Sequence, residues 1–133
     1  MNRYYSFVAL RAGHRCEYCR APERLFNFHF EVEHITPRSL GGTWALINLA
    51  LACTACNLFK ADYLTGFDFV TQVEVLLFQP REQVWEDHFQ VELETGLLLG
   101  LTATGRATID RLQMNSRSQI RARLQWIGWE AYP

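Results

Sequence analysis

CTACNLFK, residues 53–60, sets two cysteines two residues apart and runs on in positions that suit a helix opening near the second of them. A matching pair, Cys16 and Cys19 in CEYC, stands upstream with 33 residues between. A two-residue gap lets neighbouring thiolates turn onto one ion at about 2.3 Å, so Cys16, Cys19, Cys53 and Cys56 are expected to bind a structural Zn2+. Disulfides are the main rival, and the absence of a secretory signal pattern argues against them. A redox pair would leave the second CxxC without a purpose. Four thiolates fill the coordination sphere, so this ion would hold the fold while any chemistry sits elsewhere.

The segment between the pairs reads as strand, loop, strand. Across residues 27–33, Phe28, Phe30 and Val32 alternate with His29, Glu31 and Glu33, the period of a half-buried strand, and Pro37, Gly41 and Gly42 end it. Leu46–Ala52 fits a second, buried strand leading into the CTAC helix. Zinc would then clamp the start of a hairpin to the start of a helix.

His34, Asn48, Asn57 and Lys60 gather around this frame, with Glu33 beside the histidine. Their chemistry suits phosphodiester hydrolysis. A neutral imidazole takes a proton from water near pH 7, and a carboxylate with an amide oxygen holds a hard divalent ion. Singly, each has a plainer reading as a cap, a turn residue or a solvated charge. Adjacent strand residues also face opposite ways, so Glu33 and His34 share a site only if the strand ends or twists there; Glu31, on the same face as Glu33, is the substitute ligand.

CEYC, FHFEVEHITPRSLGG and NLALACTACNLFK together resemble the HNH endonuclease family in its zinc-stabilised, four-cysteine, bacterial form. The resemblance covers about residues 10–60 and implies a ββα-metal fold, in which a hairpin and a helix grip one catalytic metal. It implies His34 as the base that activates water, Asn48 tying the loop and orienting that histidine, Glu33 and Asn57 on the metal, and Lys60 near the phosphate. DNA is the implied substrate. Glu33 stands where many members carry aspartate. Asn57, in place of a third-position histidine, favours Mg2+ or Mn2+. Leu40 and Ala61 stand where related members often have histidine and glycine.

Around this core, Arg3–Ala12 is expected to form a short helix stopped by Gly13, and Gln79-Pro80-Arg81-Glu82 a helix start. His88–Leu93 and Leu97–Leu101 should form a hairpin about Glu94-Thr95-Gly96. Two helices should follow, one with Ile109 and Leu112, the other with Ile120, Leu124 and Ile127 on a common face. Trp85, His88, Trp126 and Trp129 either stack on bases or fill the core. The class is therefore α+β, one domain over residues 1–133, with a nuclease core at about 10–62 and a C-terminal hairpin and helices at about 63–133 packed on it.

The net charge of −1 excludes binding nucleic acid by bulk positive charge alone. Its distribution is uneven: five arginines and two glutamates in residues 1–24, eight acids and one arginine in 61–100, five arginines and two acids in 101–133. Packing of the two ends would give a basic surface. The uncharged run Ser39–Phe59 is interrupted by glycines, threonines and asparagines, which reads as burial in a soluble fold, and the chain is expected to be cytoplasmic with no membrane partner. The rival is a non-catalytic zinc module that binds nucleic acid or protein. A nuclease restrained or targeted by a partner protein would share the same chemistry.

Overall fold

The computed structural model describes residues 1–133. Helix α1 spans Tyr5–Arg11; strands β1 (Glu31–His34) and β2 (Leu49–Ala52) pair antiparallel, with Glu31 opposite Ala52 and His34 opposite Leu49; helix α2 spans Thr54–Lys60. Every residue of β2 is buried, so the hairpin is covered on both faces, and α1 and α2 are the helices packed on it. From α1, Val8 and Ala9 supply wholly enclosed side chains. Arg11 bonds the carbonyls of Leu46 (2.9 Å) and Leu49 (2.5 Å), fixing the end of α1 to the entry of β2.

The first strand is shorter than its alternation implies. Residues 23–25 make a 3-10 turn instead, and Glu23 is buried beneath it, accepting bonds from Tyr5 Oη (2.7 Å), His14 Nδ1 (2.8 Å) and the amide of Phe30 (2.7 Å). Phe28 is consequently left half-exposed. Burial pushes the Glu23 carboxyl up, but the bonds from Phe30, His14 and Tyr5 outweigh it and hold the group below 4.5. A depressed carboxyl stabilises the fold above its unfolded value and loses that contribution as pH falls through the folded one. Glu23→Gln is therefore expected to melt lower at neutral pH and to lose less stability on acidification. Parallel acid-side curves for the two proteins in urea titrations would contradict this.

The second strand also starts late, because Leu46–Asn48 form a 3-10 turn. Helix α2 begins where the cysteines predict, with Cys53 as its cap: Sγ accepts the amide of Cys56. It ends at Ala61, which has φ 46 and ψ −131, a conformation open mainly to glycine. Ala61→Gly is expected to stabilise the protein by about 1 kcal/mol, strain relief exceeding the added chain entropy; an unchanged urea midpoint would argue against it.

Seven further elements make the second half. Strands β3 (Thr65–Asp68) and β4 (Val73–Leu76) form a hairpin that the sequence reading missed; helix α3 (Trp85–His88) leads into the hairpin β5 (Phe89–Val91) and β6 (Leu98–Gly100); helices α4 (Ala103–Arg111) and α5 (Arg117–Gly128) follow. Asp68 organises the first turn, taking bonds from Thr71 and the Val70 amide while pairing with Arg106 of α4 at 2.8 Å. Arg106 is the main reason its carboxyl lies well below the usual range.

The expected helix at Gln79-Pro80 is a turn, and α3 begins at Trp85. Gln79 captures the local backbone: its side chain accepts the amide of Arg81, and its own amide donates to Gln83. In α5 the buried face is Arg123 with Trp126, while Leu124 is 39% exposed. Arg123 is enclosed because it bonds the carbonyls of Gly96 (2.7 Å) and Met114 (2.6 Å).

The halves share one apolar cluster. Trp85 Nε1 bonds the carbonyl of Tyr18 (2.8 Å), Tyr132 Oη that of Cys19 (2.8 Å), and Arg15 that of Ala131 (3.0 Å), so the chain's two ends do meet. Trp85 and Trp126 are thus core residues; Trp129 is 64% exposed. No helix is long and apolar enough to cross a membrane.

Candidate active site and zinc centre

The four cysteine sulfurs lie within 4.8 Å of one another, all buried and unbridged. Cys19 Sγ and Cys53 Sγ are 3.7 Å apart. A disulfide needs about 2.05 Å. A tetrahedral ion with bonds of about 2.3 Å puts its sulfurs about 3.8 Å apart, so the observed spacing fits a zinc centre. The amides of Cys19 and Cys56 donate to Cys16 Sγ (3.5 Å) and Cys53 Sγ (3.4 Å), bonds that would orient and partly neutralise thiolate ligands.

Across the hairpin, a cleft of about 610 Å³ opens between the end of β1 and helix α2. Glu33, His34 and Asn57 line it, together with Arg38, Ser39 and Asp62. Three of the expected site residues therefore converge. Asp62, which accepts a bond from Ser39 Oγ at 2.9 Å, is an addition that no pattern in the sequence marked.

The loop that follows His34 is closed by Asn48. Its Oδ1 accepts the amide of Thr36 (2.9 Å), and its Nδ2 donates to the carbonyls of Thr36 (3.1 Å) and Thr43 (2.9 Å). Gly42 is obligatory in this loop, since a Cβ there would lie 1.7 Å from the Thr36 oxygen. The loop returns Trp44 to the imidazole of His34, edge to face at 4.3 Å. His34 Nε2 is enclosed and has no hydrogen-bond partner. Burial, then Arg38 and Lys60, lower its pKa below 6.5, so the ring is neutral at pH 7.

Glu33 and Lys60 sit differently from the sequence expectation. Lys60 is 1% exposed, not at a surface facing phosphate; its Nζ bonds the carbonyls of Ile35 (2.9 Å) and His34 (3.3 Å) and lies 2.5 Å from Glu33 Oε1. Glu33 Oε2 accepts the Tyr18 hydroxyl at 2.7 Å. Burial pushes the Glu33 carboxyl up, against the pull of Lys60. Oε1 is enclosed and faces the Lys60 ammonium. Glu31 leans weakly on Thr54 at 3.4 Å and does not line the cleft.

Removing one member of a buried ion pair strands the other, which costs about 3–5 kcal/mol. Lys60→Met is expected to lose about that much in urea unfolding, and adding Glu33→Gln should recover most of it. If the double variant is no more stable than Lys60→Met, the pair is not the source of the loss.

A strand hairpin and helix, pinned by four cysteines and carrying a histidine at the strand end, define a zinc-type ββα module. Residues 16–62 match the family model for HNH endonuclease. No curated protein and no solved structure matches the chain.

Proposed function

We propose that the chain is a metal-dependent endonuclease that hydrolyses DNA phosphodiester bonds, with His34 accepting the proton of the attacking water. The observation that carries this reading is the convergence of Glu33, His34 and Asn57 on one cleft within the HNH segment. A neutral ring at pH 7 suits a base, and with Nε2 enclosed, Nδ1 is the nitrogen left for water.

The Glu33 carboxylate and the Asn57 side-chain oxygen are the donors that would hold a divalent ion, and oxygen donors fit Mg2+ or Mn2+. Such an ion supplies Lewis acidity at the phosphate and at the leaving oxygen. Asn48 acts by holding the loop, and Lys60 by fixing the carbonyls on either side of the peptide that follows His34 while balancing the charge of Glu33. The test is nicking of supercoiled plasmid by zinc-loaded protein with Mg2+ or Mn2+, beside His34→Ala.

The Glu33–Lys60 pair favours a second reading, a non-catalytic zinc module that binds nucleic acid or protein, because the carboxylate is already neutralised. Failure to bind a second divalent ion in calorimetry, with no nicking in any metal, would favour that reading.

A further inference from the structure

Residues 1–16 and 34–61 contain no aspartate or glutamate, although they carry Arg3, Arg11, Arg15, Arg38 and Lys60. Lys60 is buried and Arg15 is turned onto the Arg20 and Ala131 carbonyls, which leaves Arg3, Arg11 and Arg38 exposed. Each of these lies over an aromatic ring: Arg3 over Tyr4 at 5.1 Å, Arg11 over Phe7 at 5.4 Å, Arg38 over Trp44 at 5.7 Å. Tyr4 and Trp44 stack at 5.3 Å with their planes 19° apart. Since Trp44 also touches His34, a continuous row from Arg3 through Tyr4 and Trp44 to Arg38 ends at the cleft.

Tyr4 packs in part on the core, while Arg3, Trp44 and Arg38 are exposed. Phe7 is 52% exposed and Trp44 37%, and an exposed cation over a ring contributes only about 0.5–1 kcal/mol. Arg11 is committed to the Leu46 and Leu49 carbonyls, but the row holds the guanidinium groups of Arg3 and Arg38 in place with donors still free, which lowers the ordering cost of meeting an anion. An acid-free, arginine-bearing strip on a chain of net charge −1 is complementary to a polyanion. Of the eight acids of residues 61–100, Asp62 lies at the cleft end of the strip, where it accepts the Ser39 hydroxyl.

We propose that Arg3, Tyr4, Trp44 and Arg38 form a docking surface for a nucleic-acid backbone, one that begins just ahead of α1, outside the matched segment 16–62, and delivers the strand to the His34 cleft. Arg3 and Arg38 each take a phosphate, and the stacked rings keep the two cations in register. The identity of the polyanion rests on the endonuclease reading.

The experiment measures affinity of zinc-loaded full chain for a short labelled DNA duplex by fluorescence anisotropy, without Mg2+ or Mn2+, over a range of NaCl concentrations. Arg3→Ala/Arg38→Ala is expected to weaken binding about tenfold at low salt and to flatten log K against log salt by about 0.9 for each lost phosphate contact. Arg117→Ala/Arg121→Ala removes the same charge from exposed positions on α5 and should leave the slope unchanged. Equal slopes for the two double variants would overturn the proposal. So would unchanged DNA binding with a shift from dimer to monomer in sedimentation, which would make the strip a self-association face. Plasmid nicking is scored separately. A reduced slope in a protein that never nicks keeps the docking surface and removes the hydrolytic reading; normal nicking with unchanged slopes does the reverse.

Discussion

His34→Ala is expected to slow metal-dependent plasmid nicking by about 10²–10⁴-fold, the range over which a positioned acid or base contributes to a proton-transfer step. The variant should stay folded, because nothing in the loop hangs on the imidazole. Asn48 closes the loop through Thr36 and Thr43, and Lys60 holds the main-chain carbonyls of residues 34 and 35. Trp44 loses its edge-to-face neighbour. Zinc content should equal that of the unaltered protein. A second comparison separates the base from the metal: Asn57→Ala should raise the Mg2+ or Mn2+ concentration for half-maximal nicking, whereas His34→Ala should lower the maximal rate at any concentration. Equal maximal rates with and without His34 would place the proton acceptor elsewhere.

What the sequence made legible was the part fixed by spacing. Two CxxC pairs dictate a four-sulfur cluster whatever lies between them, and the sulfur separations agree. The hairpin, the helix after Cys53, the β5–β6 hairpin and the two last helices also follow from local pattern, since each has a strong start or stop residue. The β3–β4 hairpin did not: its turn depends on Asp68, whose carboxylate is set by Arg106 of a helix 38 residues away. Arg123 reads as a solvated charge in any window and is buried only because two distant carbonyls, of Gly96 and Met114, need donors.

Glu33 and Lys60 are the instructive case at the site. Strand alternation sets Glu33 and His34 on opposite faces, and the structure keeps that alternation: Glu33 turns inward to Tyr18 and Lys60 and still borders the cleft that His34 enters. Covering both faces of the hairpin is what makes this arrangement, and coverage by helices is a tertiary fact invisible to a period of two. The same covering turns a lysine expected at a phosphate into an internal counter-ion. Ala61 was legible as a departure from a glycine pattern, and its positive φ supplies the physical reason that glycine suits the position.

Cys53→Ser is expected to abolish zinc binding and to unfold most of the chain. Serine keeps an oxygen able to accept the Cys56 amide, so the cap of α2 survives and the loss reports on the metal. Structural zinc is worth about 10–16 kcal/mol in small peptides, comparable with the entire stability of a domain, about 5–15 kcal/mol. Its loss also spreads beyond the ligands. The loop 16–19 that the ion fixes presents the Tyr18 carbonyl to Trp85 and the Cys19 carbonyl to Tyr132, and sends Glu17 to the Leu51 amide. Tyr18 itself holds Glu33, so the cleft would lose its shape along with the core. Far-UV circular dichroism with metal analysis is the measurement, and a zinc chelator added to the unaltered protein should produce the same spectrum. A Cys53→Ser protein that binds no zinc yet melts at the unaltered temperature would show that the apolar core alone carries the fold.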